Sequence, residues 1–198
     1  MTTIQRLNES IEKWNLLKHP FYQAWSNGTL PAEKLKTYSN EYASFIGTVA
    51  ESWDACGYKN IADTEREHYE MWKDFSNSLG NVTIESSLLA VHHLVANCRA
   101  NNKTVSGALG SLYAFEAQQP FTAQSKLKGL REHYNNLHCD ETYFKVHEND
   151  FDEPAILAKH IEALTSAEQK EAELACETTC KNLWDALSAI HNDAAHCN

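Results

Sequence analysis

The spacing of apolar residues is the feature that most constrains how this chain of 198 residues can fold. Apolar side chains recur every three or four residues in almost every segment, and no segment alternates as a half-buried strand does. Glycine and proline, which interrupt helices, number only 7 and 4. The sequence therefore predicts an all-α fold, with one helical domain covering residues 1–198.

Capping signals divide this pattern into separate predicted helices. Pro31 suits the first turn of a long helix, and Thr165 with Glu168 forms a capping box that opens the last one. The predicted helices cover approximately residues 4–14, 20–25, 31–53, 63–79, 84–101, 106–134 with a kink at Pro120, 141–151, 155–164 and 165–191.

Charge and composition exclude several classes of function. The formal net charge is −10 and the lysines and arginines are scattered, which argues against nucleic-acid binding. No apolar run is long enough to cross a membrane and the first residues do not resemble a signal peptide, so we expect a cytoplasmic protein with reduced thiols. Cys176, Cys180 and Cys197, in or beyond the last helix, carry no functional prediction.

Ionisable residues on apolar helix faces are the candidates for a functional site. Glu65 and His68 share a face with Trp72 and Phe75, so they form a Glu-x-x-His pair that can reach one ion. The alternative is a solvated first helical turn, because charged residues surround Glu65 in the sequence.

Two further helices offer similar candidates. Glu116 lies in the middle of an apolar stripe, either as a metal ligand or as a buried structural carboxylate bonded to Tyr or His. Lys126 lies near the edge of the same face, where an exposed lysine is the usual interpretation. Phe144, His147 and Phe151 predict an inward face, with Asp150 three residues after His147. Two histidines and two or three carboxylates would suit iron or manganese.

Four segments resemble the haem-oxygenase-like superfamily, which includes TenA-type thiaminases, quinone-synthase-like proteins and di-metal oxidases. Within it, they look most like the self-sacrificing para-aminobenzoate synthases. The segments are LKHPFYQAWSNGTL (17–30), EHYEMWKDF (67–75), LYAFEAQQP (112–120) and YFKVHE (143–148). They occur in the family's order and together span most of the chain.

The resemblance implies a role for each matching residue. His68, Glu116 and His147 would be metal ligands, and Glu65 would replace a family glutamate that lies farther upstream. Tyr22 matches the tyrosine that is cleaved to supply the aromatic ring, and Lys126 matches the lysine that supplies the amino group. The cofactor would be one or two iron ions, or manganese, with O2 as co-substrate.

The last ligand helix departs from the family pattern His-x-x-x-Asp-x-x-His. Phe151 and Pro154 occupy the two later ligand positions in this chain. Asp150 could supply one ligand from the His147 side of the helix, whereas Asp152 or Glu153 could do so only if the helix ended differently. A one-metal site, a rebuilt two-metal site and a metal-free pocket therefore all stay open.

Three functions follow from these observations. The first is an iron- or manganese-dependent oxidase that activates O2 in the bundle and makes para-aminobenzoate for folate from its own tyrosine. The second is a cofactorless quinone-synthase-like enzyme, and the third is a non-catalytic binding protein with a degraded metal site. The expected partners are a small-molecule or self-derived substrate and, from the resemblance alone, a second copy of the chain, with no nucleic acid and no membrane.

Overall fold

Helices account for most of residues 1–193, which are the residues that the computed structural model describes, and no strand occurs among them. Predicted positions in 194–198, including Cys197, lie outside the described residues. The α-helices are α1 Thr3–Lys13, α2 Pro20–Ser26, α3 Ala32–Glu41, α4 Ala43–Ala55, α5 Lys59–Ser78, α6 Leu89–Asn101, α7 Val105–Glu116, α8 Gln119–His133, α9 Thr142–His147, α10 Asp152–Glu162 and α11 Ser166–Asn192. The predicted all-α fold is confirmed.

Three predicted helices are interrupted or shortened in the structure. The helix predicted over 31–53 is divided at Tyr42 into α3 and α4. The helix predicted over 106–134 is two helices, because Pro120 lies in the first turn of α8, where its missing N–H costs no hydrogen bond. The α6 helix begins only at Leu89, because the Glu41 carboxylate accepts the backbone N–H groups of Ser87 and Leu88 just before it, at 3.0 and 3.1 Å.

The helix predicted over 141–151 ends earlier than expected. The α9 helix ends at His147, and α10 begins at Asp152 after a short turn. Phe151 is 46% exposed, so its predicted place on the inward face with Phe144 and His147 was wrong. This turn changes which acidic residues can point into the bundle.

The centre of the bundle is α7, in which every residue from Ser106 to Glu116 is buried. The long α11 helix packs closely against it. Gly110 makes this approach possible, since a Cβ at that position would overlap the backbone carbonyl of Ala172 on α11. Glu116, at the C-terminal end of α7, therefore lies on a helix that is buried from Ser106 onward.

No helix within residues 1–193 combines the length and apolar character that crossing a bilayer requires.

Candidate metal centre

Three of the predicted ligands meet inside the bundle. Glu65 and His68 lie one turn apart on α5, and His147 is the last residue of α9. Each offers one ligand atom, and these atoms all lie within 4.8 Å of one another. Glu65 and His147 are 3% and 2% exposed, so the alternative of a solvated helical turn at Glu65 was wrong. We call Glu65, His68 and His147 the ligand triad.

Hydrogen bonding prepares the two histidines to bind an ion. Nδ1 of His147 lies 2.6 Å from the backbone carbonyl oxygen of Tyr143, which can only accept, so the Nδ1–H donates and the lone pair of Nε2 stays free. Burial also lowers the pKa of His147 to about 3, which keeps the imidazole neutral. Nδ1 of His68 lies 2.7 Å from Oε1 of Glu65, which fixes the orientation of that ring.

Glu116 lies near the triad but outside its 4.8 Å grouping. It is 3% exposed, and its Oε1 has no hydrogen-bond partner among residues 1–193. Burial raises the pKa of Glu116 well above its usual value, and the charges of Glu153, Glu65 and Asp150 raise it further. The unpartnered Oε1 is an oxygen that a bound cation could use, and the Trp53 side chain acts on the same carboxyl group in the direction that lowers its pKa.

Asp150 and Glu153 contribute two more carboxylates from the segment that follows His147. Asp150 is partly buried in the turn after α9, and Glu153 is 8% exposed in the first turn of α10. Burial, followed by the charges of Glu65 and Asp150, raises the pKa of Glu153 to about 8. We call Glu65, Glu116, Asp150 and Glu153 the acid cluster.

Lys126 is buried beside this region in a cage of aromatic rings. It is 1% exposed, so the usual interpretation of an exposed lysine was wrong. Its Nζ lies 5.2 Å from the ring centre of Phe144, 5.3 Å from Tyr22, 5.6 Å from Tyr38 and 6.0 Å from Trp72. Burial lowers the pKa of Lys126 to about 7, so part of the amine is uncharged at neutral pH. We call these four rings the aromatic cage.

Tyr22, the second predicted catalytic residue, forms one wall of the cage. It is 1% exposed, and its hydroxyl lies 3.3 Å from the hydroxyl of Tyr38. Burial raises the pKa of Tyr22, so its phenol stays protonated at neutral pH. The structure thus places Tyr22 and Lys126 in contact, although they are about a hundred residues apart in the sequence.

The cage and the triad share a wall. The ring of Tyr143 lies 4.3 Å from that of His147 and 4.8 Å from that of Trp72, which also faces Lys126. Phe144, the next residue of α9, contacts Lys126 directly. One helix, α9, therefore connects the site that could hold metal to the buried tyrosine and lysine.

Comparisons with solved structures show which fold this is. A TenA homologue from P. horikoshii covers 96% of this chain with a TM-score of 0.74 at 17% identity, and 98% of that protein is matched. A domain with a heme oxygenase-like fold from Shewanella denitrificans covers 96% of this chain, and 92% of its own length is matched, with a TM-score of 0.78 at 16% identity. This chain has the haem-oxygenase-like fold.

Sequence comparison narrows the resemblance within that fold. A 4-aminobenzoate synthase from Chlamydia pneumoniae is 27% identical over 98% of this chain and 97% of its own length. Another from Nitrosomonas europaea is 29% identical over 96% of this chain and 91% of its own length. No family model matches the chain. The resemblance predicted from the sequence is confirmed.

The donor set of this haem-oxygenase-like bundle fits iron or manganese. Imidazole and carboxylate ligands, without thiolates, are those that such ions take in helical bundles. Among the buried acids Glu65, Glu116 and Glu153, only Glu65 forms an ion pair within residues 1–193, and its partner is His68. Several acids buried close together without cationic side chains are costly, and a bound divalent ion would offset that cost.

Of the five ligands predicted from the sequence, the structure groups Glu65, His68 and His147, and the burial of Glu153 was not predicted. A signal was present, because Glu153, Leu157 and Ile161 are spaced four apart and all are buried on one face of α10. The predicted helix began at 155, which left Glu153 outside it. The start of α10 at Asp152 is what turns Glu153 inward.

Proposed function

We propose that this protein is a metal-dependent oxidase that makes 4-aminobenzoate from its own Tyr22, with Lys126 as the amino donor. The observation that carries the proposal is the burial of Lys126 Nζ 5.3 Å from the ring centre of Tyr22, beside the ligand triad. The names of the similar proteins, 4-aminobenzoate synthases, support the same product.

The product defines what the site must do. Turning a tyrosine side chain into 4-aminobenzoate requires cleavage of the Cα–Cβ bond and oxidation of Cβ to a carboxylate. The phenolic oxygen leaves as water and is replaced by Nζ of Lys126, whose bond to Cε breaks as Cε is oxidised to an aldehyde. Iron or manganese bound by the triad and the acid cluster would supply the oxidising power, with O2 as oxidant. Because the tyrosine belongs to the chain, each molecule makes at most one product.

The residues of the cage have separate roles in this scheme. Lys126 is held as a partly uncharged amine, since a protonated amine has no lone pair to form the new carbon–nitrogen bond. Tyr38 positions Tyr22 through the contact between the two hydroxyl groups. The rings of Trp72 and Phe144 keep water away from the amine and orient it toward the phenol.

The triad has the complementary task of binding. His147 presents Nε2 because its Nδ1–H is committed to the Tyr143 carbonyl oxygen. Glu65 and His68 approach from α5, one helical turn apart, so they can bind the same ion. Glu116 contributes a carboxylate oxygen that has no hydrogen bond of its own.

A single-turnover experiment tests the proposal. Protein purified without chelators is loaded anaerobically with Fe²⁺, Mn²⁺ or both, then given O2 and a reductant, and 4-aminobenzoate is measured by mass spectrometry. We expect product from the wild type and none from Tyr22→Phe. Tyr113→Phe is the matched control, since Tyr113 is buried on α7 with its hydroxyl bonded to Asn8, away from the cage. Equal product from Tyr22→Phe and wild type would overturn the proposal.

A further inference from the structure

The turn between α9 and α10 brings in an acidic side chain beside Phe151 and Pro154, the two positions at which this chain lacks the Asp and His of the family pattern. Phe151 is exposed, so it cannot bind an ion inside the bundle. Pro154 has no ligand atom in its side chain. A helix that starts at Asp152 tolerates a proline in its first turn, because the N–H groups there have no partners within the helix.

Glu153 is the residue of this first turn that points inward. It is 8% exposed, whereas its neighbour Asp152 is exposed to solvent. Leu157 and Ile161, one and two turns later on the same face, are completely buried. The face of α10 that packs on α7 therefore begins with a carboxylate instead of an apolar residue.

The surroundings of Glu153 are acidic. The charges of Glu65 and Asp150 act on it, and its own charge acts on Glu116. No hydrogen bond or ion pair to another side chain holds the Glu153 carboxylate within residues 1–193. A buried carboxylate among other carboxylates would normally be replaced by an apolar residue unless a cation bound there.

Counting donors then gives a set of the size that a two-metal site requires, in which only the triad atoms lie within 4.8 Å of one another among residues 1–193. Two histidines and four carboxylates, including a Glu-x-x-His pair on one helix, form the donor set with which helical bundles hold two transition-metal ions. The acid cluster and the two histidines of this chain match that number. We infer that Glu153 is a metal ligand, and that it completes a site for two divalent ions which would otherwise lack a carboxylate.

This inference deepens the proposed function and rests on it, because both require metal in the same site. It differs in assigning a ligand to α10, the helix that follows the one with His147. The two claims can be separated, since the proposed function needs bound metal, whereas the inference needs one of the ions to depend on Glu153.

The test compares metal stoichiometry in matched variants. Wild type, Glu153→Gln and Asp152→Asn are each titrated anaerobically with Fe²⁺ and with Mn²⁺, and bound metal is measured by elemental analysis after desalting. Both substitutions replace a carboxyl group in the first turn of α10 by an amide, but only Glu153 is buried. Circular dichroism before loading confirms that each variant keeps its helical content.

We expect two ions per chain in the wild type and in Asp152→Asn, and one in Glu153→Gln. Paramagnetic resonance of the Mn²⁺-loaded proteins gives a second readout, since coupled ions in the wild type would become a single isolated ion in Glu153→Gln. Two ions in Glu153→Gln with unchanged affinity would overturn the inference and leave the proposed function intact. No ion in the wild type would overturn both.

Discussion

The acid cluster and the aromatic cage bury charge in opposite ways. The acid cluster places Glu65, Glu116, Asp150 and Glu153 near one another without a lysine or arginine partner within residues 1–193. The cage buries one amine, Lys126, among rings whose electron-rich faces attract a cation only weakly compared with a carboxylate. The acid cluster and the Lys126 amine lie near each other, yet no ion pair joins them within residues 1–193.

The two regions thus keep opposite charges unpaired at a short distance from each other. A salt bridge between Lys126 and one acid would have satisfied both groups, and the shared wall of Tyr143, Phe144 and Trp72 keeps them apart. The result is a group of buried acids without a lysine or arginine partner within residues 1–193, and an amine that loses its proton easily. Both properties agree with a metal site that acts on Tyr22.

The largest expected effect is the loss of metal-dependent stabilisation in His147→Ala. An ion present at about 1,000 times its dissociation constant stabilises the folded wild type by about 4 kcal/mol. We expect His147→Ala to lose most of that gain, because the removed Nε2 is one of the three triad donors. Thermal unfolding with and without Mn²⁺ measures the difference, and His93→Ala, an exposed change on α6, is the control. An equal gain in His147→Ala would rule out this ligand.

A somewhat smaller effect is expected when the amine is removed from the cage. The pKa of Lys126 is about 7 in the folded protein and about 10.5 when the chain is unfolded, so the unfolded chain binds more protons between these values. The free-energy cost of burying the protonated Lys126 amine is greatest below pH 7 and disappears as the pH rises toward 10.5. The difference between the two pKa values corresponds to about 5 kcal/mol at pH 6, and Lys126→Met should stabilise the protein there by about 3 kcal/mol after subtraction of the lost attraction between the protonated amine and the four rings.

Denaturant unfolding at pH 6 and pH 9 checks this prediction. Wild-type stability should rise across that interval from the Lys126 contribution, and the rise should be smaller in Lys126→Met. Lys128→Met removes the same charge from an exposed position of α8 and should leave the pH dependence as it is in the wild type. A destabilised Lys126→Met at pH 6 would contradict the account of the cage.

The acid cluster should show the opposite pH dependence. The pKa of Glu153 is about 8 in the folded protein and 4.5 in the unfolded chain, so the folded state binds more protons between these values. Stability of the metal-free protein should therefore fall as the pH rises from 4.5 toward 8. Glu153→Gln should remove about 2 kcal/mol of that fall, after allowance for its partial exposure. A pH profile identical to that of the wild type would show that Glu153 is not crowded by other acids.

The smallest expected effect concerns the contact between the two tyrosine hydroxyls. Tyr38→Phe removes the partner that lies 3.3 Å from the Tyr22 hydroxyl but keeps the ring that faces Lys126. We expect a loss of about 1 kcal/mol or less in the free energy of unfolding, since the contact is long for a hydrogen bond between hydroxyls. A loss several times larger would mean that the hydroxyl, and not the ring, is what Tyr38 contributes to the cage.

The sequence predicted the part of the site that depends on a single helix. Glu65 and His68 lie three residues apart on a periodic segment, so their common face follows from helix geometry alone. Glu116 could be found in the same way, since it interrupts an apolar stripe on α7. The burial of these residues needed no knowledge of their partners.

The parts that the sequence did not predict depend on several helices. Lys126 was interpreted as exposed because its neighbours on α8 do not reveal the rings of Tyr22, Tyr38 and Trp72, which come from α2, α3 and α5. Phe151 matched the spacing of Phe144 and His147, so a continuous helix was expected there. The turn before α10 broke that spacing and brought in Glu153 instead.

The most direct test of the central claim is to trace the atoms of the product. Protein carrying ring-¹³C tyrosine and ¹⁵N-Nζ lysine is loaded with metal, exposed to unlabelled O2 with a reductant, and analysed for 4-aminobenzoate. If the acid cluster holds the metal that acts on the caged residues, the product will carry both labels and will not exceed one per chain. Unlabelled product, or many products per chain, would show that the substrate comes from outside and contradict the account.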